Sequence, residues 1–152
     1  MKNDVLIVSA CLLGINCKYS GSNNLNEKVK KLCNNMTVIP ICPEQLGGMT
    51  TPRKPAEIKG GSGKEVLDGK ARVFDKDGKD VTEYYISGAK ETLKIVKMFD
   101  AKKAILKANS PSCGCGTIYD GNFIGNKING NGVTAEVLKK NGIEILNELD
   151  IK

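Results

Sequence analysis

The sequence predicts an α/β fold: a single domain with a parallel, Rossmann-like sheet of about four strands and long Gly/Pro-rich active-site loops. Three observations predict it. Four apolar runs of strand length, rich in β-branched residues, recur along the chain: DVLIVSA (4–10), MTVIPIC (36–42), KKAILKA (102–108) and IEILNEL (143–149). Each of the last three is preceded by a stretch with helical spacing, and strand alternating with helix is the signature of a parallel sheet. Finally, 152 residues with 40% hydrophobic content are enough for one core and short for two, so residues 1–152 are read as one domain.

Taken in order, the first run should form a strand buried on both faces, as should the other three. In NLNEKVKKLCNN (24–35), Leu25, Val29 and Leu32 or Cys33 recur at helical spacing. After the second run, the segment 42–66 holds three of the five prolines and several glycines, which predicts a long ordered loop or lid. DVTEYYISGAKETLKIVKMF (80–99) places Val81, Tyr85, Ala89, Leu93 and Val96 on one stripe of a longer helix. Following the third run, residues 110–132 should contain a small hairpin around Asp120-Gly121. NGVTAEVLKKNG (131–142) reads as a short helix closed by Gly142, and the fourth strand follows.

Composition excludes several classes of function. No apolar stretch approaches a membrane span, and nothing after the first run resembles a secretory cleavage site, so the expected setting is cytoplasmic and off the membrane. In that reducing setting the six cysteines are expected to be free thiols, metal ligands or catalytic groups rather than a disulfide framework. The chain has no histidine, which removes Ser-His-Asp and Cys-His catalysis and His-ligated zinc. Acid-base work falls to Glu, Asp, Lys, Tyr, Cys or water. The net charge is +6, but all basic residues except Arg53 and Arg72 are lysines and aromatics make up only 5%. That pattern reads as a solvated surface rather than a nucleic-acid face.

The cysteines are distributed in a way that a parallel sheet makes meaningful. Strands of such a sheet end on the same edge, and ligand sites form beyond those ends. Cys11 follows the first strand, Cys42 closes the second and Cys113 lies shortly past the third. Three thiols distant in sequence would therefore meet. Without histidine they suit a soft metal or an iron-sulfur cluster, and three protein ligands on a four-iron cluster would leave one iron open to act as a Lewis acid. Cys17 and Cys115 remain candidate fourth ligands, while Cys33 is read as core packing. The Ser/Pro/Gly composition around Cys113 and Cys115 predicts a turn that exposes both thiols.

Neighbouring polar groups sharpen the picture. Glu44 follows Cys42 by two residues with Pro43 between, and Ser110 precedes Cys113 by three with Pro111 between. A carboxylate and a hydroxyl beside an open iron can position and deprotonate water, although both residues also suit simple capping roles. Lys107 is placed to balance thiolate charge or contact substrate, and Arg53 suits bidentate recognition. GGSGKEV (60–66) is not a phosphate loop, because Ile58 stands where the first glycine belongs and Glu65 where Ser or Thr is required. SACLLG (9–14), with its single glycine, is no dinucleotide fingerprint.

Across nearly its whole length the chain resembles the thiouracil desulfidase family, in SACLLGINCKYSG (9–21), CPEQLGGMTTPRKPAE (42–57), KANSPSCGCGTIYDGNF (107–123) and NGVTAEVLKKNGIEIL (131–146). The resemblance implies a 4Fe-4S cluster on Cys11, Cys42 and Cys113, with one open iron that takes the thiocarbonyl sulfur. It implies Glu44 and Ser110 as the acid/base and assisting groups, in a non-redox exchange of sulfur for water that yields uracil and sulfide. The family's Arg-Tyr-Asp-Gly reads Lys18-Tyr19-Ser20-Gly21 here, and Cys115 falls where no cysteine is demanded. Relatives that act on RNA carry an additional domain that this sequence lacks, so the expected substrate is a small thiolated base or nucleoside. The competing readings are a cluster or sulfide carrier without turnover, which needs neither Glu44 nor Ser110, and a structural zinc protein, which needs a fourth thiolate.

Overall fold

The computed structural model describes residues 4–152. In chain order, β1 (Val5–Ser9) runs into a 3-10 turn (Ala10–Leu13), followed by α1 (Glu27–Leu32) and β2 (Thr37–Ile41). Next come α2 (Pro43–Leu46), β3 (Ala56–Lys59), α3 (Gly63–Leu67) and β4 (Arg72–Asp75). The long α4 (Thr82–Met98) leads to β5 (Lys103–Leu106), then β6 (Thr117–Tyr119), β7 (Lys127–Asn129), α5 (Val133–Lys140), β8 (Glu144–Asn147) and a last 3-10 turn (Glu148–Asp150).

All four predicted strands form, and they make one parallel sheet in the order β2-β1-β5-β8. The chain winds outward from β1 to β2, then returns to the other side of β1 for β5 and β8, so the winding reverses between β1 and β5. Burial on both faces holds only for that central pair: Leu6, Ile7, Val8, Ala104, Ile105 and Leu106 are buried. Along β2 and β8 most residues are half-buried or exposed. The expectation of four fully buried strands is corrected because an edge strand has a neighbour on one side only and the helices cover the middle of the sheet.

Helix α1 is shorter than its spacing predicts. Asn26 caps it by accepting the Val29 N–H at 3.1 Å, and among the six residues that follow only Val29 is buried. Leu25 and Leu32 are exposed, and Cys33 is half-buried against the Leu6/Val8 core. In α4 the predicted stripe faces inward, with Tyr85, Ala89 and Val96 buried beside the preceding Val81. Gly142 adopts φ +81° just after α5 and donates to the Lys139 carbonyl, the left-handed stop its position suggests.

The segment 42–66, expected as a loop or lid, carries three regular elements. It holds α2, strand β3, which pairs antiparallel with β4 (Ala56↔Asp75 through Lys59↔Arg72), and the start of α3. A four-residue strand is too short to show a period, and prolines and glycines around it masked the pairing. GGSGKEV proves to be a helix start: the Glu65 carboxylate accepts the Ser62 N–H at 2.8 Å. The expected hairpin after Cys115 is present as β6 and β7. Among the described residues no helix is long and apolar enough to cross a membrane.

One packing contact governs where α2 sits. A Cβ on Gly88 in α4 would lie 2.0 Å from the Pro43 carbonyl oxygen, and a Cβ on Gly47 would lie 2.0 Å from that of Tyr84. The two backbones touch because neither glycine has a side chain, and α2 carries Glu44. Gly88→Ala tests this. Alanine inside a helix ordinarily stabilises by roughly 0.5–1 kcal/mol, but here the methyl must displace backbone, so a loss of about 1–3 kcal/mol is expected. Urea denaturation of the two proteins reads the difference, and a stabilised variant would show that α2 can move away freely.

Candidate functional site

The site lies at the carboxyl edge of the sheet, where the winding reverses. The registers Ser9↔Ile41 and Val8↔Ile105 bring the ends of β1, β2 and β5 level. Each strand therefore delivers its next residues to the same crevice. Cys11 comes from the 3-10 turn after β1, Cys42 directly after β2, and Ser110 and Cys113 from the loop after β5. Together with Glu44 they line one cavity of about 530 Å³.

Cys17, left open as a ligand by the sequence, lines the same cavity and is buried. Cys42 Sγ donates to the Cys17 carbonyl at 3.7 Å and faces the Glu44 carboxylate at 3.8 Å. The neighbouring Cys17 thiol, outweighing burial, brings Cys11 down to about 7 and also lowers Cys42. Cys17 itself is pushed far up by those two sulfurs and by burial. Cys115 is elsewhere: its Sγ donates to the Ile145 carbonyl at 3.6 Å, and it does not line the cavity. Cys33 is also outside it.

The exposed turn expected around Cys113 is corrected, because Cys113 is only 4% exposed. The loop folds inward on its own polar groups. Ser110 Oγ accepts the Ser112 and Cys113 N–H groups at 3.1 and 3.0 Å, and Ser112 shares a 2.9 Å hydroxyl bond with Thr134 in α5. Gly114 permits this, since a Cβ there would lie 2.6 Å from the Ser110 carbonyl oxygen. Burial raises the Cys113 thiol well above its ordinary value and the nearby Glu44 charge adds to it, while a bond from Ser9 works the other way. Ser9 Oγ also accepts the Lys107 N–H at 2.9 Å, tying the ends of β1 and β5 together.

Several charged groups at the cavity are paired. Glu44 lies 3.8 Å from the Arg53 guanidinium, with side-chain exposures of 13% and 7%. Arg53 is held in turn by the Thr50 carbonyl and the Thr51 hydroxyl. Lys107 Nζ sits 2.9 Å from Glu148, whose other oxygen accepts the Ala108 N–H at 2.7 Å. Glu148 went unnoticed in the sequence because it stands 40 residues beyond its partner, in the last 3-10 turn. Glu57, Tyr119 and Phe123 also line the cavity and were missed. The only signal they carried was membership of motifs already quoted for the resemblance.

The donor set fits a thiolate-bound cluster. Among the described residues no group of three or more Cys, Asp or Glu is arranged to hold one metal ion. The thiols instead surround a space, with the cations Arg53 and Lys107 nearby to offset thiolate charge. A closed structural zinc site would need Cys17 as its fourth ligand with all four sulfurs converging on one point, and among the described residues no such group converges.

Comparison with known proteins agrees with this donor set. The 2-thiouracil desulfurase family model matches residues 6–150. The chain is 49% identical over 147 residues to the uncharacterised protein YbbK of Bacillus subtilis (strain 168), covering 97% of both. The solved structure of the 4Fe-4S-dependent thiouracil desulfidase TudS matches with a TM-score of 0.85 at 35% identity, over 97% of this chain and 93% of that one.

The cysteine geometry predicts which thiols iron needs. After anaerobic reconstitution, Ala at Cys11, Cys42 or Cys113 is expected to abolish stable iron loading, whereas Cys33→Ala and Cys115→Ala retain it. Iron per chain is the measurement. Full iron in any of the first three variants removes that residue from the ligand set.

Proposed function

The chain belongs to the 2-thiouracil desulfurase family, and from that premise we propose that it desulfurates a small thiolated nucleobase or nucleoside. Water replaces the thiocarbonyl sulfur, so thiouracil and water give uracil and hydrogen sulfide, with no change in oxidation state. The observation that carries the reading is the convergence of Cys11, Cys42, Cys113 and the paired carboxylate of Glu44 on one cavity. The whole chain, residues 1–152, acts as one domain. Its free cysteines support a reducing, cytoplasmic setting.

Cys11, Cys42 and Cys113 hold a 4Fe-4S cluster in this reading. When bound, such a cluster supplies a Lewis-acidic iron with affinity for sulfur. The protein does the rest. Glu44 takes a proton from the attacking water, and Arg53 keeps the carboxylate aimed into the cavity. Ser110 has a double duty: its oxygen shapes the Cys113 loop by accepting two amides, and its O–H hydrogen orients water or substrate. Lys107, fixed by Glu148, offsets the negative charge of thiolates and departing sulfide.

Glu44→Gln is expected to keep its iron and lose about 10²- to 10⁴-fold in turnover, the scale of a general base. Ser110→Ala should lose less turnover but also some iron, because the Cys113 loop loses a two-amide acceptor. Uracil release from 2-thiouracil and iron per chain are followed together. Full turnover in Glu44→Gln overturns its role as base, and an iron-loaded wild type that binds the thiolated base without ever releasing uracil identifies a carrier instead.

A further inference from the structure

Glu57 on β3 has a carboxylate that forms no ion pair among the described residues. One of its oxygens instead accepts two backbone N–H groups from a segment more than sixty residues away, Gly121 at 3.0 Å and Phe123 at 3.2 Å. The loop between β6 and β7 is thereby clamped to β3. The approach is close: a Cβ on Gly121, whose φ is +96°, would lie 2.6 Å from the Ile58 carbonyl oxygen. Phe123 has φ +57°, an uncommon conformation for a bulky side chain, which needs support from its surroundings. Bonds from amides to a carboxylate are among the stronger ones available for that purpose.

The clamped loop matters because of what it presents. The chain has four Tyr, three Phe and no Trp, and four of these seven aromatics line the cavity. The three tyrosines are already engaged. Tyr85 is packed in the core, Tyr119 has Lys127 Nζ 5.6 Å from its ring centre, and Tyr19 has Lys18 Nζ at 5.9 Å. Phe123 is the aromatic left to meet a ligand. A thiolated pyrimidine is a flat ring, and stacking on an aromatic side chain recognises its face without hydrogen bonds.

We infer that Glu57 is a positioning residue that, through the Gly121 and Phe123 amides, fixes Phe123 as the wall on which the substrate ring rests. The inference builds on the desulfidase reading and adds a specificity determinant to it. In this role Glu57, although it lines the cavity, acts through the two amides it accepts. Glutamine keeps the acceptor oxygen, so it should restore most of what alanine loses.

The experiment uses Glu57→Ala, Glu57→Gln, Phe123→Ala and the Glu57→Ala/Phe123→Ala double variant. All are reconstituted to equal iron and assayed with 2-thiouracil, and backbone amide exchange is measured in parallel. Glu57→Ala is expected to raise KM about tenfold, the scale of a lost charge-assisted bond, with kcat nearly unchanged. Phe123→Ala should match it, and the double variant should be no worse. Glu57→Gln should lie near wild type and keep the Gly121 and Phe123 amides protected, as Glu57→Ala does not. If Glu57→Gln is as damaging as Glu57→Ala, or if KM is unmoved in Glu57→Ala or Phe123→Ala, the assignment is overturned. Should Glu57→Ala fail to fold, the glutamine and Phe123 variants still decide it. An iron-loaded wild type that never releases uracil would overturn the desulfidase reading itself, and the substrate wall with it, a result distinct from failure of Glu57 in an active enzyme.

Discussion

Everything at the site depends on the parallel pairing of β1 with β2 and β5. Because the three strands run the same way in level register, their carboxyl ends coincide, and residues as far apart in sequence as Cys11 and Cys113 open on one crevice. A shift of one residue in β5 would reverse the faces of its side chains, exchanging Ile105 with Ala104 and Leu106 between the two cores that the sheet separates. The apolar pattern of the central strands therefore sets the position of the thiols. Core packing and site geometry are one constraint, and the reversal of winding between β1 and β5 leaves the space they border.

Glycine and short polar side chains convert that coarse placement into a cavity. Gly47 and Gly88 let α2 rest backbone to backbone on α4, which brings Glu44 in from the side of the long helix. Gly114 and Ser110 fold the Cys113 loop inward, so a segment of turn composition ends with a buried sulfur. Ser9 bridges the ends of β1 and β5 through the Lys107 amide. The role of these contacts is to leave backbone groups satisfied while the chain turns sharply at the sheet edge.

The charges follow a similar logic. Two carboxylates and two cations near the cavity occur as the pairs Glu44–Arg53, both lining it, and Lys107–Glu148, of which Lys107 lines it. A half-buried ion pair adds little to stability after desolvation, so its value here is orientation. Cys17 plays a related part among the thiols, its presence beside Cys11 and Cys42 lowering both.

Local physics made the secondary structure and the principal thiols legible from the sequence. Four apolar runs specified the strands, helical spacing specified α4 and α5, and strand ends marked Cys11, Cys42 and Cys113, with Glu44 and Ser110 standing two or three residues away. What stayed hidden was non-local. Strands β3 and β4 are four residues each and exist because they pair with one another; no periodicity in either one announces that. Whether Cys17 or Cys115 belonged to the cavity had no answer in spacing. In the structure Cys17 lines the cavity, while Cys115 donates to the Ile145 carbonyl in β8. Glu57, Phe123 and Glu148 act through partners 40 to 66 residues distant. A hydrogen bond across such a separation is set by how the elements pack, so only the tertiary structure decided which carboxylate holds which loop.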